Sequence, residues 1–428
     1  MRKVASLATF DEPEYNAKCR RLSGAFRNIG SPKPPSSTIS DRSSQRIIYL
    51  DHAATSWPKS PAVMDAVTDM MHRGAAAGRG SHRLSQIADQ CVTQCRRSLA
   101  KLIGASGADT IALTSGATQS LNFALRGLLR PGDHVVTTPV EHNAVLRTLV
   151  SMDGIDVSYA ESDPDGRVLV DHVMRALGPD TRMVVITHAS NVTGTVLPLR
   201  EIAETVGRLP KPPILLCDAA QTIGMLPIDV GWGIDAVAAP GHKSIGGPLG
   251  TGFLYLAPPL HSRIIPSNHG GTGGNSDSLQ MPDAYPAKME TGNLNVPGIA
   301  GLGAALQHWF DADAAARQQR RQALVGHLRD GCQRLKEHYP DHFRYWMGDA
   351  LPMVSIALDG LAASDVVSIL DAEFSICVRG GHHCAAKSAR VIGAPVDGTV
   401  RISGGLDTSV DEMEACFSAI DAILQSIA

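Results

Sequence analysis

Aromatic residues are scarce in this chain, 4% of its 428 positions, and neither sign of charge prevails: 39 Lys and Arg stand against 42 Asp and Glu, a formal net charge of −3. Proteins that grip nucleic acid show a basic stripe or interleaved stacking aromatics. Neither stands out here, so nucleic acid is set aside as a ligand. No stretch reaches the roughly 18 consecutive apolar residues of a membrane span, and the N-terminus lacks the charged, apolar and small-residue succession of a secretory signal. A cytoplasmic address without a membrane partner is expected. The eight cysteines (Cys19, Cys91, Cys95, Cys217, Cys332, Cys377, Cys384 and Cys416) are scattered and form no CxxC pair. That excludes a disulfide framework and a zinc ribbon, and no metal site is expected.

What remains is the composition of an ordinary globular enzyme, 43% apolar with 41 glycines spread along the chain. Residues 1–45 end in the Pro/Ser-rich run SPKPPSSTISDRSSQ, which buries little surface and reads as a mobile extension. From Ile47 onward, short apolar runs alternate with helical patterns: TIALT, HVVTT, MVVIT, ILLC, AVAA and GFLYL. Such runs predict strands covered on both faces in a mainly parallel sheet, an α/β domain over residues 46–300. After residue 300 come long helical stretches and then the short strands MVSIAL, ICVR and TVRIS. They predict a smaller α+β C-terminal domain over 301–428, joined by residues 46–75.

Ligands of open α/β sheets bind at the carboxyl ends of strands, so the residues just beyond each run matter most. TIALT leads into SGATQSLNFAL, where Ala117 and Thr118 open a helix whose free N–H groups suit a phosphate. HVVTT leads to Glu141, His142 and Asn143; MVVIT to His188 and Asn191; ILLC to Asp218 and Gln221; AVAA to His242 and Lys243. Singly these are weak signals, since an Asp opening a helix is most often a cap and a lone lysine is usually solvated. GHKS lacks the glycine spacing of a nucleotide loop. Together they supply an anion seat, a group to cover an aromatic ring, an acid for a ring nitrogen and an amine for an aldehyde. Pyridoxal 5′-phosphate needs each of these. In that reading Lys243 tethers the aldehyde, Asp218 pairs with the pyridine nitrogen and His142 stacks on the ring. Gln221 and Asn191 bond its hydroxyl side, while Thr118, His242 and the Ala117 backbone surround the phosphate.

The motifs YLDHAATSWPK, TSGATQSLN, EHNAVLRTL, HASNVTGT, CDAAQTIG, APGHKSIGGPLGTGFLY, ETGNLN and VRGGHHCA resemble, in their order, those of the class V aminotransferase-like enzymes, and within them the cysteine desulfurases. The resemblance covers roughly residues 48–405. It implies the type I fold of pyridoxal phosphate-dependent transferases, a homodimer, L-cysteine as substrate, a sulfur-acceptor protein as partner, and iron–sulfur cluster assembly as one destination for the sulfur. VRGGHHCA is similar to the second, SufS-like group with a short active-site loop. By resemblance Cys384 takes the substrate's sulfur as a persulfide, Lys243 moves the α-proton, and Arg401 holds the substrate carboxylate, with Arg379 and His82 in the same neighbourhood. Gly380 and Gly381 then give the loop mobility, and His382 or His383 lowers the thiol pKa or carries a proton.

Three departures stand out. Pro240 occupies the place of a serine that often helps bind phosphate, Asn293 that of a threonine reaching the other subunit's phosphate, and AAKSAR follows Cys384 where a proline is common. The same residues leave open a selenocysteine lyase, another C–S lyase, a true aminotransferase, or a scaffold that has lost catalysis.

Overall fold

The computed structural model describes residues 46–272 and 277–427, so the extension expected over residues 1–45 lies outside the described residues. The first part runs β1 (Ile48–Tyr49), α1 (Pro61–Arg73), α2 (Arg83–Leu102), β2 (Ile111–Thr114), α3 (Ala117–Leu128), β3 (His134–Thr137), α4 (Asn143–Val150) and β4 (Asp156–Tyr159). It continues with α5 (Val170–Ala176), β5 (Thr181–Thr187), α6 (Leu199–Gly207), β6 (Ile214–Asp218), β7 (Ala236–Pro240) and β8 (Gly252–Leu256). Seven of these strands form one sheet in the order β2-β8-β7-β6-β5-β3-β4, in which β8 alone runs against its neighbours.

The centres of its inner strands are apolar because both faces are covered. Met183 and Val185 of β5 join one core cluster and Val184 and Ile186 the other, and Leu216 and Cys217 of β6 divide the same way. β4, absent from the apolar runs, is an edge strand whose end residues Asp156 and Tyr159 are exposed. One layer of water-facing residues leaves no continuous hydrophobic signal.

Beyond the sheet come α7 (Val296–Asp311), α8 (Ala314–His338), β9 (Phe343–Met347), β10 (Met353–Leu358), α9 (Ala363–Phe374), β11 (Ile376–Cys377), β12 (Arg379–Gly381), α10 (Ala386–Val391), β13 (Thr399–Ser403) and α11 (Val410–Gln425). The long helical stretch breaks at Ala312–Asp313, where the Asp313 carboxylate caps α8 by accepting the Ala315 N–H at 2.9 Å. A second, antiparallel sheet has the order β12-β13-β10-β9. β1 pairs in parallel with β11, and Leu50 beside it packs with Leu324, Ile356, Ile402 and Phe417. The start of the described chain is thus part of the C-terminal core.

Candidate active site

The carboxyl ends of β5, β6 and β7 and the start of α3 surround a cavity of about 290 Å³, toward the lower end of the usual range for small-molecule sites. Ala117, Thr118, His142, Asn191, Asp218, Gln221, His242, Lys243, Arg379 and Arg401 all line it, together with His383. Residues spread over nearly 300 positions therefore meet at one place, as the strand-end rule requires.

Lys243 follows β7. Burial, with the Arg401 charge next, lowers its amine to about 8, so a substantial neutral fraction exists near physiological pH. Asp218 ends β6 with a side chain only 2% exposed, and Oδ1 accepts the Ala220 N–H at 2.9 Å. Burial raises its carboxyl, while that N–H and the Lys243 charge oppose the shift. His142 caps α4, its Nδ1 accepting the Ala144 N–H at 3.0 Å. Burial, reinforced by Lys243, pulls its imidazole down to about 4. The ring is neutral, and the accepting Nδ1 puts its proton on Nε2.

Ala117 and Thr118, which open α3, line the same cavity, and Gly116, the N-cap, has no side chain to cover the helix's first N–H groups. Gly116 has φ 150°, and a Cβ on Gly252 would lie 2.5 Å from its Cα. The turn is a cradle that two glycines permit. His242 stands beside it with Nδ1 3.1 Å from Thr55 Oγ1, and burial followed by the Lys243 charge brings its ring to about 4. Gln221 donates from Nε2 to the Ala53 carbonyl at 3.3 Å.

Arg401 of β13 is 1% exposed. One Nη donates to the Asn191 carbonyl and the other to Asp51 Oδ1, both at 2.9 Å, while buried Nε has no partner. The expected free fork is thus partly engaged, and Asp51, which sequence reasoning left without a role, is its counter-ion. The two are 350 positions apart, so no local spacing could have paired them.

The segment carrying Cys384 corrects two expectations. Gly380 and Gly381 are not slack: they lie in β12, paired with Val400 and Thr399 of β13. A Cβ on Gly380 would lie 3.1 Å from the Ala363 carbonyl oxygen, and Gly381 has φ 103°, so close backbone approach accounts for the first glycine and a positive φ for the second. Nor does His383 face the thiol as a cation. It is 3% exposed, its Nε2 lies 2.9 Å from Thr399 Oγ1, and burial with the Arg401 charge lowers it to about 3. His382 is exposed. The cation near sulfur is Arg379, whose Nη2 lies 3.5 Å from Cys384 Sγ. His383 and Cys384 both have left-handed backbone, φ 51° and 58°, a strained pair. Two hydrogen bonds hold it: Asn191 Nδ2 to the His383 carbonyl at 2.5 Å and the Asn143 N–H to the Cys384 carbonyl at 2.8 Å. The turn leaves the Cys384 side chain exposed at the cavity rim.

Two expected residues lie elsewhere. His82 is an exposed cap of α2, accepting the Ser85 N–H at 3.3 Å, and is outside this cavity. Asn293 lines a neighbouring cavity of about 210 Å³ that shares Ser115 and Gln119 with the first.

An amine, a buried acid, a neutral imidazole and an uncapped helix start meet within one sheet-end cavity, the place where enzymes of the α/β class bind their ligands. The Aminotransferase class-V family model matches residues 48–416, and the chain belongs to that family. Within it, the chain groups with cysteine desulfurases. A probable cysteine desulfurase of Methanothermobacter thermautotrophicus is 31% identical over 389 residues, 88% of this chain and 94% of that one. Cysteine desulfurase IscS of an Anaeromyxobacter species is 35% identical over 332 residues, 72% of this chain and 77% of its own. The solved apo structure of cysteine desulfurase from Thermococcus onnurineus matches with a TM-score of 0.80 at 27% identity, covering 92% of this chain and 100% of that one.

Proposed function

We propose that this chain is a pyridoxal 5′-phosphate-dependent cysteine desulfurase that converts L-cysteine to L-alanine and leaves the sulfur as a persulfide on Cys384. The observation that carries the reading is that Lys243 and Asp218 line one cavity whose rim bears an exposed thiol beside an arginine. The donor set suits the cofactor: Ala117, Thr118 and His242 at the phosphate, His142 on the ring face, Asp218 at the ring nitrogen, Gln221 and Asn191 at the hydroxyl, and Lys243 as the tether. When bound, the cofactor supplies the electron sink that makes the amino acid's α-carbon acidic.

The chain supplies the rest. Neutral Lys243 takes and returns protons at the substrate carbon, for which an amine poised near 8 is suited. Arg401 offers Nε and its remaining N–H edge to the substrate carboxylate. Cys384 Sγ, as thiolate beside Arg379, bonds to the substrate sulfur while the Cβ–S bond breaks. That bond's electron pair stays on carbon, which takes up a proton and leaves as alanine. Exposure of Cys384 supports onward transfer to a sulfur-acceptor protein, with the short, clamped loop of a SufS-like enzyme. Asn293 and His82, outside one chain's cavity, suit a homodimer in which the partner subunit completes the site. Among the described residues no helix is long and apolar enough to cross a membrane.

The test is product analysis with cofactor-loaded protein and L-cysteine. Wild type is expected to release alanine, and Cys384→Ala to lose that release. Alanine at the full rate from Cys384→Ala overturns the persulfide step, and pyruvate assigns the protein to another class of C–S lyase.

A further inference from the structure

Glu141 is a buried acid that the mechanism above does not use. It stands between β3 and His142 and is outside the lining of the cavity. Its side chain is 0% exposed. Oε1 accepts two hydrogen bonds at 2.8 Å, one from Thr138 Oγ1 and one from the Thr187 N–H, whereas buried Oε2 has no partner. Thr187 is the register neighbour of Asp218 in the sheet and itself lines the cavity. Glu141 therefore ties the turn that carries His142 to the end of β5, beside the acid of β6.

Two carboxyl groups this close in a dry interior cannot both hold a charge cheaply. Asp218 has the Lys243 charge and the Ala220 N–H to favour its anion. Glu141 has two neutral donors on one oxygen and none on the other. We propose that Glu141 is a positioning residue that keeps its proton, so that a neutral carboxyl group pins the His142 turn to β5 while Asp218 remains the single negative charge under the ring. Burial pushes the Glu141 carboxyl up to about 8, opposed by its two hydrogen bonds, in the direction this arrangement needs. The proton sits on Oε2, the oxygen that receives no hydrogen bond. The part of this inference that concerns the ring rests on the pyridoxal phosphate reading; the protonation of Glu141 does not.

Glutamine copies the shape and neutrality of the protonated acid, while aspartate keeps the acid but falls one methylene short of Thr138 and Thr187. The first measurement is the infrared difference between wild-type apoprotein and Glu141→Gln at neutral pH. A protonated-carboxyl C=O band lost in the variant is expected, and carboxylate bands in its place overturn the proposal. The second is the dissociation constant of pyridoxal 5′-phosphate from each protein, with thermal unfolding as the check on folding. Glu141→Gln is expected to bind within about threefold of wild type and Glu141→Asp about tenfold more weakly. The reverse order in folded proteins overturns the positioning role. Wild type that binds no pyridoxal 5′-phosphate defeats the cofactor reading instead, and the infrared result still decides the proton.

Discussion

At the scale of single residues, the site is a set of protonation states imposed by burial. Lys243 is brought down to about 8 while the imidazoles of His142 and His242 are held near 4, so the amine is poised to gain or lose a proton near neutrality and the rings stay neutral. Below pH 8 the ammonium form predominates; above it the nucleophilic amine does. Capture of pyridoxal 5′-phosphate by apoprotein, trapped by borohydride and read by mass, is therefore expected to accelerate from pH 6.5 to about 8.5 and then level off. An acceleration that continues toward pH 10.5 contradicts the lowered amine. Arg401 serves two masters, Asp51 and the Asn191 carbonyl, and retains its Nε–H, with the second hydrogen of each Nη, for a ligand. Lysine cannot reproduce that planar fork. Arg401→Lys is expected to raise KM for L-cysteine by about 10- to 100-fold with a smaller change in kcat, as steady-state kinetics will show. An unchanged KM reduces Arg401 to a structural ion pair.

At the scale of elements, placement depends on where strands stop and helices start. The strands of the central sheet were legible as apolar runs because two cores cover them, and the residues beyond each run were legible because a sheet end is where polar groups collect. β4 and β9 were not, since their part-exposed residues break the apolar signal. The start of α3, proposed as the phosphate seat, was legible from Ser115 to Thr118, but its dependence on Gly252 was not, because that contact crosses from β8 to the loop before α3. Backbone, not a movable side chain, meets a Cβ there: Gly116 Cα at 2.5 Å and the Ala239 carbonyl at 2.8 Å. Gly252→Ala is expected to cost about 1–3 kcal/mol of stability through overpacking and to weaken cofactor binding about tenfold, measured by denaturant unfolding and titration. Unchanged binding means that the cradle tolerates displacement.

At the scale of the whole molecule, Cys384 sits on the turn that follows β12 of the C-terminal sheet, and Asp218 and Lys243 sit at strand ends of the central one, so the proposed chemistry depends on the joint between them. Asn191 makes that joint, receiving Arg401 on its carbonyl and gripping the strained His383–Cys384 turn with its amide. Sequence reasoning assigned Asn191 to the cofactor and substrate but missed the clamp, because the amide and its acceptor are 192 positions apart. It also read Gly380 and Gly381 as a source of motion, where pairing with β13 makes them part of a sheet. Asn191→Ala is expected to speed amide exchange across residues 382–386 and to slow persulfide formation about tenfold or more. Hydrogen-exchange mass spectrometry and rapid-quench kinetics check the two effects, and loss of activity without faster exchange argues for direct cofactor contact alone.

The most direct test is to expose cofactor-loaded protein briefly to L-cysteine, alkylate it, and weigh the peptide that contains Cys384. One additional sulfur atom on that peptide is expected in wild type and none in Lys243→Ala. Sulfur found on a different cysteine, or alanine accumulating while the Cys384 peptide stays unmodified, would contradict persulfide formation at Cys384.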